Sequence, residues 1–440
     1  MLESTVKRRT WPVPPGQARC VQQRKQESMR TVAIADPYST GHHPTYIRLY
    51  AQELLALGYR VFAFCADPDA AVGWIRHYSG ARAHDFRAFP LPEVAGPESP
   101  RFYRVASILT QARKWSTLER SVRRAERETG TRVDFVFVTY LDDYIMRYFA
   151  PCMLFPLVRR QWSGLFFHPF EFLLPDPAEH RRLGTYRWRR RLLTARSCTS
   201  VALLVHTVAD ELSAQIGGKP VFAFPDVADP VPPDRTLEIV QDIRRLAAGR
   251  KTVCLVGSLD ARKNFALLLD IALLAPAMGK HWFFVFAGQF HEHTFSAETL
   301  RRIKALMDYG PGNCFFHCQR LPDEAAFNGV IDASDAMFAA YDSFAFSSNM
   351  LAKAALLAKP LLVTKGCYMG DQVERYGLGL AIGNGNITAG IRALERLLDS
   401  GEFDAVRMQP KYDAYLADHS LPQLRRVLQE VVALGLGRQG

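Results

Sequence analysis

The chain has 440 residues, 48% hydrophobic and 22% charged, with a formal net charge of +11. That composition is normal for a globular protein, and no apolar run approaches the ~18 uncharged residues of a membrane-spanning helix. The length predicts two domains, and the positive charge points to nucleic acid, an anionic membrane or a phosphorylated substrate as partner.

Residues 1–28 contain Lys7, Arg8, Arg9, Pro12, Pro14, Pro15 and a polar run from Gln22 to Ser28, without the apolar segment of a secretory signal. They read as a disordered extension, and Met29 reads as a natural beginning. Thr31 to Ala35 is a buried strand. A loop with Gly41, His42 and His43 follows, then a helix from Thr45 to Leu57 with Ile47, Tyr50, Ala51, Leu54 and Leu55 on one face. Gly58 ends that helix and Arg60 to Cys65 is the next strand. Strand, glycine loop, helix, glycine, strand is the opening of a doubly wound parallel sheet.

A helix is expected over Asp69 to Tyr78, a strand over Arg87 to Leu91 and a long basic helix from Phe102 to Arg127. Val133 to Thr139 is a strand, and Gly164 to His168 another with His168 at its carboxyl end. Val201 to His206 and Pro220 to Phe224 are strands around a helix from Thr207 to Ile216. Proline-rich Pro225 to Pro233 reads as a hinge.

The alternation then repeats. Strands are expected at Thr252 to Val256, Trp282 to Ala287, Cys314 to His317, Met337 to Tyr341 and Leu361 to Val363. Helices are expected at Asn264 to Ala275, Ser296 to Met307, Asp323 to Ala333, Gly370 to Tyr376, Ile387 to Asp399 and Leu421 to Leu434. A further helix should open at Ser347, Ser348 and Asn349, whose side chains suit the free N–H groups of a first turn. The whole reads as α/β, with two Rossmann-like domains facing each other across a cleft. The domains are 29–228 and 229–419, and 420–440 forms a last helix packing back on the first domain.

The cysteines are scattered, several within strands, as buried free thiols of a reducing cytosol are. Cys314 and Cys318 flank His317, but no second ligand pair follows at zinc spacing. The cations concentrate in Arg101 to Arg132 and in Arg181 to Arg196. In the second of these, Tyr186, Trp188 and leucines are interleaved. Such stretches are either solvated helix faces or contacts for an anionic membrane surface. No nucleic-acid-binding signature is present, so no nucleic acid is expected.

Two places suit an anion. Gly257, Ser258, Arg262 and Lys263 follow the first strand of the second domain and open its helix. There oriented N–H donors meet two adjacent cations that otherwise oppose the helix dipole. The Ser347 to Asn349 helix start is the other. On the first domain, Gly41 allows close backbone approach. His42, His43 and His168 sit where protons can be exchanged near neutral pH.

The stretches GHHPTYIRLYAQELLALGYRV, LLVHTVADELSAQIGGKPVFAFPDVAD, VGSLDARKNFALLLDIA and CQRLPDEAAFNGVIDASDAMFAAYDSFAFSSNMLAKAALLAKPLLVTKGC occur in this order. Together they resemble the GT-B glycosyltransferases, in particular the large retaining family four, over about Met29 to Asp399. The resemblance implies transfer of a sugar from a nucleotide-sugar, with retention and without a metal or other cofactor, to a glycan, lipid-linked or small-molecule acceptor. It implies that Lys263 binds the diphosphate, with Arg262 standing in for the arginine that follows the glycine in the family. His168 would lie at the transferred sugar as the catalytic candidate, and Arg320 at the base. The family's Glu-x7-Glu pair is replaced by Ala345 and Lys353, so Lys353 and the Ser347–Asn349 N–H groups are assigned to phosphate. That departure keeps two alternatives open: a non-catalytic GT-B scaffold of a polysaccharide pathway, or a sugar-nucleotide epimerase or hydrolase. The expected location is cytoplasmic, at the inner face of the membrane where the basic stretches touch lipid.

Overall fold

Two all-parallel sheets organise the computed structural model, which is described for residues 29–39, 41, 43–96, 103–145, 149–169, 191–399 and 411–437. The first contains β1 (Thr31–Asp36), β2 (Arg60–Cys65), β3 (Phe86–Pro90), β4 (Phe135–Val138), β5 (Trp162–Phe166), β6 (Val201–Leu203) and β7 (Val221–Ala223), in the order β3-β2-β1-β4-β5-β6-β7. The second contains β8 (Thr252–Val256), β9 (Phe283–Ala287), β10 (Cys314–His317), β11 (Ala336–Ala339), β12 (Leu361–Thr364) and β13 (Gly379–Ile382), in the order β10-β9-β8-β11-β12-β13.

Both faces of each sheet carry a core, so the central strands β1, β4, β8 and β11 are nearly continuous, fully buried apolar runs. In β1, Val32 and Ile34 point into one core while Ala33 and Ala35 point into the other. Val32 sits beside Val61 of β2 on one side and Phe135 of β4 on the other. Strand order reverses between β1 and β4 and between β8 and β11, which puts a crevice at the carboxyl ends of each pair.

The chain crosses between the sheets twice. Val227 packs in a core of the first domain and Ala228 in one of the second. On the return, Tyr415 of the helix Tyr412–Asp418 is buried in the second domain. The helix Leu421–Gly437 lays Leu424, Val427, Leu428, Val431 and Val432 on the first. Their three-and-four spacing is one apolar stripe. The crossings touch: the Asp226 N–H donates to His419 Nδ1 at 3.1 Å.

Several elements differ from the sequence expectation. The helix Glu238–Ala247, β13 and the helix Tyr412–Asp418 are additional. The first of these starts without a side-chain cap at Leu237, and β13 is only GLAI, so neither carries a strong local signal. β5 stops at Phe166 rather than His168, because the Asp142 carboxylate takes the Phe167 and His168 N–H groups at 2.7 and 2.9 Å. β6 likewise ends at Leu203, and a 3₁₀ turn occupies His206–Val208. The helix expected from Ser347 begins only at Met350 and ends at Leu356, and Asn349 caps no N–H with its side chain.

The basic helix spans Tyr103–Thr129, and much of its charge is paired: Lys114 with Asp143, Arg123 with Glu119 and Arg124 with Glu128. Residues 1–28, Arg101, His42 and residues 181–190 of the second basic stretch lie outside the described residues. Among those described, the seven cysteines are free thiols, and no helix is long and apolar enough to cross a membrane.

Candidate functional site

β8 is followed by Gly257, whose φ of +104° lies in the region that favours glycine. A Cβ there would sit 2.8 Å from Lys263 Nζ, so the missing side chain makes room for the ammonium. Lys263 Nζ donates to the Val256 carbonyl at 3.0 Å and lies 5.5 Å from the centre of the Tyr341 ring. The Lys263 N–H donates to Asp260 Oδ1 at 2.7 Å, which shapes the loop into the helix Phe265–Leu274. Arg262 stacks over Phe344 at 5.1 Å and reaches the same Asp260 at 3.4 Å. Burial, then the neighbouring Arg262, pushes the Lys263 ammonium down to about 8. The Asp342 N–H donates to the Arg262 carbonyl at 2.8 Å, joining the loops after β8 and β11. Gly257, Arg262 and Lys263 are therefore one cluster at the carboxyl end of the second sheet. Ser258 adjoins it half-buried, and Arg320 lies exposed beyond β10.

The Ser347–Asn349 segment has a different role from a plain helix cap. The Ser347 hydroxyl donates to Asp226 Oδ2 at 2.7 Å, and Ser348 Oγ accepts the Met350 N–H at 3.4 Å. Lys353 is 1% exposed. Its ammonium donates to Glu324 Oε2 at 2.6 Å and Asn328 Oδ1 at 2.7 Å, over the Phe327 ring. Those bonds hold it within the second domain as the partner of Glu324.

On the first domain, Asp36 closes β1 and is 1% exposed. Its Oδ2 accepts the Thr139 hydroxyl at 2.6 Å and lies 2.9 Å from His43 Nδ1, and its Oδ1 accepts the Tyr38 N–H at 3.1 Å. The His43 ring stands 4.8 Å from each of the Tyr38 and Tyr140 rings. Gly41 turns the preceding loop at φ +62°. His168 Nδ1 is 3.2 Å from Asp142 Oδ1, and its ring meets Phe346 of the second domain edge-on at 4.8 Å.

Asp226 joins the two sides: Tyr46 donates to its Oδ1 at 3.2 Å and Ser347 to its Oδ2. Burial raises its carboxyl group to about 6, against the two hydroxyl donors. Asp36, Asp142, Asp226, Glu324 and Phe346 were not singled out from sequence. Asp36 had one local signal, an acid ending a wholly apolar strand. Among the described residues no group of three or more His, Cys, Asp or Glu side chains is placed to hold a metal ion.

Two doubly wound parallel domains, crossed twice by the chain and meeting at the carboxyl ends of their strands, define the architecture. Known structures superpose over nearly the whole length. Sucrose-phosphate synthase from Thermosynechococcus elongatus matches with a TM-score of 0.64 at 12% identity, over 93% of this chain and 100% of that one. The chain has the GT-B fold. HepE from Anabaena, solved with UDP and glucose, shares this GT-B architecture with a TM-score of 0.64 at 12% identity over 92% and 99%. An α,α-trehalose-phosphate synthase (UDP-forming) from Burkholderia vietnamiensis does so with a TM-score of 0.64 at 13% identity over 94% and 99%. No family model and no curated protein sequence matches.

Proposed function

We propose that the protein transfers a sugar from a nucleotide-sugar to a glycan, lipid-linked or small-molecule acceptor. The carrying observation is the Arg262–Lys263 pair behind Gly257: exposed Arg262 reaches the Asp260 carboxylate at 3.4 Å, while the buried Lys263 ammonium beside it donates to the neutral Val256 carbonyl. A diphosphate supplies the missing negative charge, and the same cations stabilise it as leaving group. HepE, a GT-B neighbour, was solved with UDP-glucose, which makes that donor the natural probe. Titration calorimetry tests the assignment: wild type binds UDP-glucose, and Lys263→Ala binds it at least about tenfold more weakly. Equal binding by both overturns it.

A second reading, binding without transfer, is favoured by the absence of any carboxylate between Asp342 and Asp371. Release of UDP on incubation with UDP-glucose decides for transfer, and binding without release decides for a scaffold. We also read the start of the helix Tyr103–Thr129 as a contact for an anionic membrane surface. Val105 and Leu109, one turn apart, are 58% and 52% exposed, with Arg104 and Arg113 beside them.

A further inference from the structure

We propose that the groove along the open edge of β3 is a second ligand site, for a small phosphate ester with a flat hydrogen-bonding body, as in an adenine nucleotide. The inference is independent of the transfer reading, and none of the groove's residues belongs to the Arg262–Lys263 cluster.

β3 ends the first sheet and pairs with β2 alone. A groove of about 470 Å³ runs beside it, lined by Val72 and Arg76 of the helix Pro68–Tyr78 and by Phe86, Arg87, Ala88 and Phe89. That volume lies in the range of small-molecule pockets. Successive strand residues face opposite sides of a sheet, so a groove that touches four in a row looks onto the edge itself. The Leu91 N–H donates to the Cys65 carbonyl at 2.9 Å, which sets the phase of the ladder. Alternate residues of a parallel strand bond to the same neighbour. Arg87 and Phe89 therefore bond to β2, while Phe86 and Ala88 direct their backbone groups outward. The Phe86 N–H is taken by the Ala83 carbonyl. Ala88 thus offers one N–H and one C=O, side by side, to the groove.

Charge decides the occupant. From Ala70 to Pro92 the chain carries three arginines and a single carboxylate, Asp85. Arg82 takes that carboxylate at 3.0 Å. Arg76 and Arg87 are exposed, and among the described residues neither guanidinium has a hydrogen-bond or ion-pair partner. A guanidinium fork matches phosphate oxygens in geometry as well as charge. Phe86 is buried and Val72, Ala88 and Phe89 are half-buried, an apolar lining for a flat body. The adenine ring presents an acceptor nitrogen and a donor amino group on one edge, the complement of the Ala88 N–H and C=O. A second copy of the chain would set the same arginines against each other. Pro90, exposed at the end of β3, leaves no further N–H for an added peptide strand.

Titration calorimetry on the full chain with AMP, in excess UDP, tests the site. Wild type should bind one AMP per chain, and more tightly than either inorganic phosphate or adenosine. The double variant Arg76→Glu, Arg87→Glu should weaken AMP at least about tenfold, the scale of lost charged hydrogen bonds, with UDP affinity and melting temperature unchanged. Ala88→Pro removes the outward N–H at a position where an edge strand tolerates proline. It should weaken AMP and adenosine and leave phosphate binding as it is. Equal AMP binding by the double variant, phosphate binding as tight as AMP, or no AMP binding by wild type overturns the site. The titration reads the groove whether or not UDP binds, so the site and the transfer reading fail separately.

Discussion

Ser347 of the second domain donates a 2.7 Å hydrogen bond to Asp226 in the crossing segment, while Tyr46 of the first domain donates to the other oxygen of the same carboxylate. One buried acid thus ties the loop after β11 to the first helix of the opposite domain. A donor that moves the loop after β11 acts directly on this joint.

The joint carries a pH signature. Burial raises Asp226 from an ordinary 3.8 to about 6, so the folded chain holds the proton more tightly than the unfolded one. This contribution to stability is complete below about pH 4 and is lost as pH rises through 6, at roughly 3 kcal/mol in full. Asp226→Asn stays neutral throughout. Its melting temperature relative to wild type should therefore climb between pH 4.5 and pH 7.5, and a constant difference would show that Asp226 does not titrate there.

Lys263 titrates in the opposite sense. Its ammonium, pushed down to about 8, is charged at pH 7 and neutral at pH 9.5. Only the charged form makes a charge-assisted bond to a diphosphate. UDP affinity should fall about tenfold or more over that range, following the ~1.5–3 kcal/mol of such a bond. Lys263→Met should bind weakly and with a flat profile. Calorimetry across pH checks this, and parallel slopes for the two proteins would remove Lys263 from the site.

How far the sequence carried depended on whether a residue's decisive partner was local. TVAIAD and RVFAFC were legible as strands because burial on both faces leaves an unbroken apolar run. Ser347 to Asn349 has the composition of a cap, yet Ser347 bonds Asp226, 121 residues away, and tertiary contact outweighs local propensity. Lys353 suits a phosphate by local sequence, but its ammonium is held by Glu324, the first residue of the helix Glu324–Asp332 and 29 residues away in the chain. His43 was legible as a reactive residue. Its orientation by Asp36, seven residues earlier, depends on a loop conformation that spacing does not dictate.

The last helix offers a packing test. Gly435 lies against the Phe135 ring with no room for a Cβ. Gly435→Val should cost about 1–3 kcal/mol by overpacking and lower the melting temperature. An exposed change in the same helix, Arg426→Ala, should be near neutral. Differential scanning calorimetry on the two variants separates the contributions.

The exposed Val105–Leu109 face predicts lipid contact. Wild type should float with vesicles containing anionic phosphatidylglycerol and stay behind with purely zwitterionic ones. Leu109→Glu should abolish flotation without lowering UDP affinity. Flotation of Leu109→Glu at the wild-type level would exclude this face.

The contact between the two crossing segments has a mechanical consequence. With Asp226 bonded to His419, and the Tyr415 and His419 rings stacked at 4.2 Å, both connections leave the molecule's waist at a single point. A structure pinned at one point along its edge opens like a book and resists sliding. The Arg262–Lys263 cluster and the His43–Asp36 pair should therefore travel toward each other along an arc, and the reach of that arc bounds the acceptor that fits between them.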